Sequence, residues 1–174
     1  MSKKQEWDED TEVASIAMEI VELARTQEFI DKHGELFGTD LDVGKIQFIR
    51  VKNRPNGKLC KVTAVTFPFS IDINHCLYYI EIDDVKWKKM TEAKRNFTVL
   101  RALFEIMPGG MDAESANYCK KRKKDIDDYS ELINLTGGRY DWSNEDSNDI
   151  VDILSTENAV TDEDKKNIDE LMKE

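Results

Sequence analysis

Apolar residues recur at every third or fourth position from Val13 through Ile16, Ala17, Ile20, Leu23 and Ala24, and the region closes at His33-Gly34. That spacing places them on one face of a helix, so a first helix is predicted over residues 9–32. Beyond it the pattern changes. Residues 45–51 and 58–67 are rich in β-branched and aromatic side chains, and Asn53-Arg-Pro-Asn-Gly57 lies between them. The proline fixes φ and the Asn-Gly pair tolerates positive φ, so two strands joined as an antiparallel hairpin are expected. Cys76-Leu-Tyr-Tyr-Ile-Glu-Ile82 reads as the third strand of a three-stranded antiparallel sheet.

Helical spacing returns with Ala93, Phe97, Leu100, Leu103, Phe104 and Met107. Thr91 is the candidate N-cap of this central helix, and Pro108-Gly109-Gly110 is its stop. A C-terminal helix is predicted over residues 125–134, where Ile126, Tyr129, Leu132 and Ile133 share a face. Carboxylates in its first turn suit the helix dipole, and Gly137-Gly138 ends it. The order of helix, sheet, helix, helix defines an α+β fold, with no internal repeat.

Composition narrows the picture. With 40% hydrophobic and 9% aromatic residues, the 174-residue chain can bury a core of its own. No apolar run reaches the roughly 18 residues that a membrane helix requires. Met1 to Asp10 carries no apolar stretch of a secretory leader, so a cytoplasmic protein is expected. Cys60, Cys76 and Cys119 contain no C-x-x-C pair and read as reduced, mostly buried thiols. His33 and His75 are the two histidines, 42 positions apart, and do not make a metal-binding pair by spacing.

The net charge of −11 is uneven. Residues 141–174 hold twelve acidic residues against three lysines, net −9. Asp146, Asp149, Asp152, Glu157, Asp162, Glu163 and Asp164 either solvate the chain or imitate a phosphate backbone and dock on a basic partner. Apolar pairs such as Ile150-Val151 and Ile153-Leu154 make this tail either a set of short amphipathic helices or a flexible appendage. Against it stands Lys120-Lys121-Arg122-Lys123-Lys124. This basic run is a candidate nucleic-acid contact, a solvated stretch, or an internal counter-charge for the tail.

Three stretches carry a family resemblance: Asp42-Val-Gly-Lys-Ile-Gln-Phe-Ile-Arg50; Tyr78-Tyr-Ile-Glu-Ile82 through Trp87, Met90, Thr91 and Lys94 to Val99-Leu100; and Lys124-Asp-Ile-Asp-Asp-Tyr129 through Leu132-Ile133, Gly138 and Trp142. In order and spacing they resemble the zincin-like phage metallopeptidase family. The resemblance implies a zincin-like domain over residues 11–142 and an acidic tail over 143–174.

The chemistry of that family needs H-E-x-x-H on the central helix, two imidazoles one turn apart holding zinc and a glutamate activating the metal-bound water. Spacing to Pro108 places this pentad on Ala102-Leu103-Phe104-Glu105-Ile106, so the ligand positions are Ala102 and Ile106 and the base position is Leu103. The third histidine is replaced by Lys124, which has no lone pair to donate at neutral pH. A site rebuilt from Glu105, His75, Asp125 and Asp128 is disfavoured because Glu105 lies about 100° around the helix from the ligand face.

No cofactor is therefore expected, and the expectation is a pseudo-enzyme. It would be a non-catalytic phage or prophage protein acting in the bacterial cytoplasm, binding a host or phage protein of basic surface and no membrane, as an anti-CRISPR or anti-restriction inhibitor would. The alternatives are a metal-dependent peptidase with atypical ligands and a nucleic-acid-binding phage accessory protein.

Overall fold

Asp10 is where the chain turns from extended to helical. Its backbone is extended, while its side chain accepts a hydrogen bond from the Val13 amide at 3.2 Å, capping the helix that follows. The computed structural model describes residues 6–52, 58–65 and 76–124. Strand β1, Glu6–Glu9, precedes Asp10, and helix α1, Thr11–Ala24, follows it. All four β1 side chains are exposed, so no hydrophobic alternation announced this strand.

The helix expected over residues 9–32 is two helices. Arg25 closes α1, and Thr26, with ψ of 141°, starts α2, Gln27–His33, by accepting from the Phe29 amide at 3.3 Å. The Thr26 hydroxyl also donates to the Leu23 carbonyl at 2.8 Å. One side chain thus satisfies groups at both helix ends, and the break costs little. Gly34, at φ +81°, ends α2 as expected, a conformation that glycine adopts without steric penalty.

Strands β2, Ile46–Lys52, β3, Cys60–Ala64, and β4, Tyr78–Asp83, complete a mixed four-stranded sheet in the order β1-β2-β4-β3. The expected β2–β3 hairpin and the three-stranded antiparallel sheet are corrected here. β4 lies between the two strands, parallel to β2 with Ile46 opposite Tyr78, and antiparallel to β3 with Val62 opposite Ile80. The physical reason is burial. Five of the six β4 residues are buried, whereas β3 buries only Val62, so the strand with two faces to cover takes the interior and the half-exposed one takes the edge. The Asn-Arg-Pro-Asn-Gly stretch, residues 53–57, lies outside the described residues, as do the predicted C-terminal helix over 125–134 and the acidic tail.

After β4, Asp83 caps a single turn, α3, Asp84–Trp87, by accepting from the Lys86 amide at 2.9 Å. Thr91 then caps α4, Glu92–Phe104, as the sequence predicts. α1 packs beside α4, with α1 also against β2 and α4 against β3. Val13, Ala17 and Ile20 of α1, Val99, Leu100 and Leu103 of α4, and Phe48, Ile80 and Ile82 of the sheet form one core with Trp87. Each large aliphatic side chain buried there contributes about 1.5–3 kcal/mol relative to exposure. No helix among the described residues is long and apolar enough to cross a membrane.

Candidate functional site

The stretch where a zincin-like pentad would lie is a packed helix end. α4 stops at Phe104, earlier than the predicted Met107, because the Ile106 amide turns back to the Leu103 carbonyl at 3.0 Å. Ile106 therefore falls beyond the helix, and the i, i+4 projection from Ala102 is not maintained. Ala102 is 3% exposed, Leu103 is fully buried and Ile106 is 5% exposed. Leu103 and Ile106 face Phe37, Gly38 and Leu41, and the space between them has no room for a water molecule.

Glu105 points elsewhere, as its position on the helix requires. Its carboxylate meets Lys121 Nζ at 2.9 Å, and the same ammonium donates to the Val62 carbonyl at 3.1 Å. The basic run is largely exposed and its backbone is tied to the end of α4: Lys121 pairs as a short antiparallel bridge with Ile106, the Met107 amide donates to the Lys120 carbonyl at 3.2 Å, and the Arg122 amide donates to the Glu105 carbonyl at 2.7 Å. Arg122, half-buried, lays its guanidinium 3.8 Å from the centre of the Phe104 ring. Lys120, Lys121, Lys123 and Lys124 are exposed.

The turn that returns the chain from α4 to this run is held by Asp40. Its carboxylate accepts from the Gly109 amide and the Met111 amide, both at 2.8 Å, and Gly109 adopts φ +76°. Tyr78, fully buried, donates its hydroxyl to the carbonyls of Lys120 at 2.9 Å and Gly110 at 3.2 Å. Burial, reinforced by Cys119, Asp40 and Tyr118, pushes the Tyr78 phenol far above its ordinary value, so it stays protonated and donating. Cys119 continues the turn with φ +52°.

A charged cluster that the sequence reading did not single out joins β2, α1, α3 and α4. Arg50, 12% exposed, pairs with Asp10, with Glu12 at 3.0 Å and with Asp84 at 3.8 Å. Burial works against the Arg50 charge, but bonding to Asp10 and then Glu12 outweighs it and raises the group above its ordinary value. The Trp87 indole N–H donates to Glu12 at 3.2 Å, and Arg95 binds the same carboxylate at 3.2 Å. The signal was present in the alternation of Glu6, Asp8 and Asp10, with Glu6 opposite Lys52 and Asp8 opposite Arg50, yet it means something only once β1 is known to be a strand.

Cys60, Cys76 and Cys119 are free thiols; Cys76 is buried, whereas the other two are half-buried, against the expectation that most would be enclosed. His33, held below its ordinary value by burial and then by Lys32, rests against Phe29 with ring centres 4.9 Å apart. Among the described residues no three His, Cys, Asp or Glu side chains gather where they could hold a metal ion. His75, Asp125 and Asp128 lie outside the described residues, as do Asp146, Asp149, Asp152, Glu157, Asp162, Glu163 and Asp164. Compared with protein-family models, curated proteins and solved structures, the chain matches none.

Proposed function

We propose that this chain is a non-catalytic binding protein of phage or prophage origin, built on a zincin-like scaffold whose metal site has been filled with apolar side chains. The observation that supports the reading is the burial in the core of Ala102, Leu103 and Ile106, three side chains without lone pairs at the positions that the resemblance assigns to the ligands and the base. Filling the site also removes the cost of burying imidazoles without a metal.

Recognition is then by surface charge. The partner is a host protein with a basic surface, and an anti-defence inhibitor of the anti-CRISPR or anti-restriction type fits best, because spaced carboxylates occupy a nucleic-acid channel as phosphates would. Support comes from the basic run, whose Lys121 and Arg122 are engaged by Glu105 and Phe104. The nucleic-acid reading keeps Lys120, Lys121, Lys123 and Lys124 as its exposed cations.

Two measurements on the full chain test this. Elemental analysis of protein purified without added metal should find no stoichiometric zinc, and affinity capture from bacterial lysate should enrich one basic nuclease. One zinc per chain, lost on substituting His75 or Glu105, overturns the pseudo-enzyme reading. Capture of nucleic acid through Lys120, Lys123 and Lys124 favours the alternative.

A further inference from the structure

β1 covers only part of β2. Its register runs from Glu6 opposite Lys52 to Glu9 opposite Ile49, and one further bond joins the Asp10 amide to the Phe48 carbonyl at 3.0 Å before the chain turns into α1. The Asp10 carbonyl accepts instead from the Ala14 amide at 3.2 Å, the first bond of the helix. Backbone groups of alternate residues face the same neighbour in a strand, so the Phe48 amide and the Ile46 carbonyl point toward the side that β1 has left. The intervening set points the other way, as the bond from the Leu77 amide to the Lys45 carbonyl at 2.8 Å requires. Among the described residues no strand lies beside residues 46–48 on the β1 side.

A groove of about 320 Å³ opens at this place. α1 lines it with Ala14 and Met18, β2 with Ile46 and Phe48, the turn before β2 with Val43, and the end of β1 with Glu9. Met18 is 48% exposed, and Glu9 is exposed at the rim. A strand edge that no described strand pairs, an apolar wall and a carboxylate therefore converge.

We propose that this groove binds an extended, basic segment of a partner protein by adding it to β2 as a strand. Main-chain bonds to Phe48 and Ile46 would hold the segment, its apolar residues would cover Met18 and Ala14, and its alternate cationic residues would face Glu9. The inference rests on the reading of the partner as a basic protein and names where one of its segments docks. Charge selects this occupant. The acidic tail of the chain itself, net −9, is mismatched to Glu9, and its basic run is already bridged to Ile106. A second copy would present the same acidic β1.

The test uses the full chain and the peptide acetyl-Val-Lys-Val-Lys-Val-Lys-amide, followed by calorimetric titration and amide-resolved hydrogen exchange. The expected result is saturable one-to-one binding and exchange at Phe48 slowed about tenfold or more at saturation. Glu9→Lys combined with Met18→Lys, both at exposed positions, should weaken binding about tenfold with an unchanged circular dichroism spectrum. Replacing the peptide lysines by glutamate should abolish it. Equal binding of the glutamate peptide, unchanged exchange at Phe48, or Phe48 protection that appears on concentrating the chain alone would overturn the proposal, the last in favour of a second copy. The Asp146, Asp149 and Asp152→Asn variant should keep the Phe48 protection. Its loss would move the contact to the tail and overturn the groove while leaving the functional reading intact; Phe48 protection without capture of any basic partner would do the reverse.

Discussion

Arg50 holds its guanidinium 5.0 Å from the centre of the Trp87 ring, and both residues reach the carboxylate of Glu12. Arg95 lies 5.4 Å from the same ring centre and pairs with Glu12 as well. Two cations beside one indole would repel each other, and it is Asp10 and Glu12, the cap and first turn of α1, that offset this. The relationship ties the start of α1 to β2 and to the segment between β4 and α4.

Removing either part of this joint should therefore cost more than an ordinary surface change. Trp87→Ala should destabilise the fold by about 3–5 kcal/mol through the cavity left in the core. Asp10→Ala should cost a similar amount, about 3–5 kcal/mol, because Arg50 would keep its burial and lose its cap-forming partner. Urea denaturation measures both. A loss under about 1 kcal/mol for Asp10→Ala would mean that Glu12 and Asp84 suffice for Arg50.

Leu103→Asp should cost several kcal/mol, since an unpaired carboxylate would enter a site with no room for water. Ile106→Asp should do the same, while Ile106→Val should cost only about 0.5–1.5 kcal/mol. Thermal melts compare the three. An unchanged melting temperature in Leu103→Asp would show that the site opens to solvent.

Alkaline pH should destabilise the protein in two stages. Burial raises the Cys76 thiol above its ordinary 9.0 and the Tyr78 phenol above its ordinary 10.0. A group whose folded value is raised supports folding fully below its unfolded value and loses that support as pH rises toward the folded one. Melting temperature should therefore hold until about pH 9 and fall beyond it, more steeply past pH 10. Burial raises the Cys119 thiol as well, so Cys76→Ala should shrink the first stage and not remove it. Tyr78→Phe should flatten the second, at the expense of stability at neutral pH, where its bonds to Gly110 and Lys120 are lost.

Charge neutralisation separates tail from basic run. Changing Asp146, Asp149 and Asp152 to Asn should weaken capture of a basic partner and reduce its salt dependence. Changing Lys121, Lys123 and Lys124 to Gln should leave capture unchanged or improved, although Lys121→Gln should lower the melting temperature slightly by releasing Glu105. The opposite ranking, with binding to bare DNA or RNA, would favour the nucleic-acid reading.

How far the site was legible depends on what local pattern encodes. The burial of Leu103 and the divergence of Glu105 follow from helix period alone, and both hold in the structure. The loss of projection at Ile106 does not follow, because a helix end is decided by where its last amides find acceptors. Lys121 and Arg122 read as solvent-facing by composition. Their pairing with Glu105 and Phe104 depends on the turn that Asp40 ties across nearly seventy residues.

The sequence by itself determined that residues 11–33 and 92–104 are helical, the caps Thr91 and Gly34, and the extended character of β2, β3 and β4, but not the break at Arg25 and Thr26 or the early end of α4. Tertiary structure alone decided the strand order. Alternation states that a strand has an apolar face, not which neighbour its amides will meet, so β2 and β3 looked like a hairpin until β4 took the place between them. It likewise decided β1, an all-exposed strand recruited by main-chain bonds to β2, and its end at Glu9, which leaves residues 46–48 without a described strand on that side because Asp10 must end a strand and begin a helix at once.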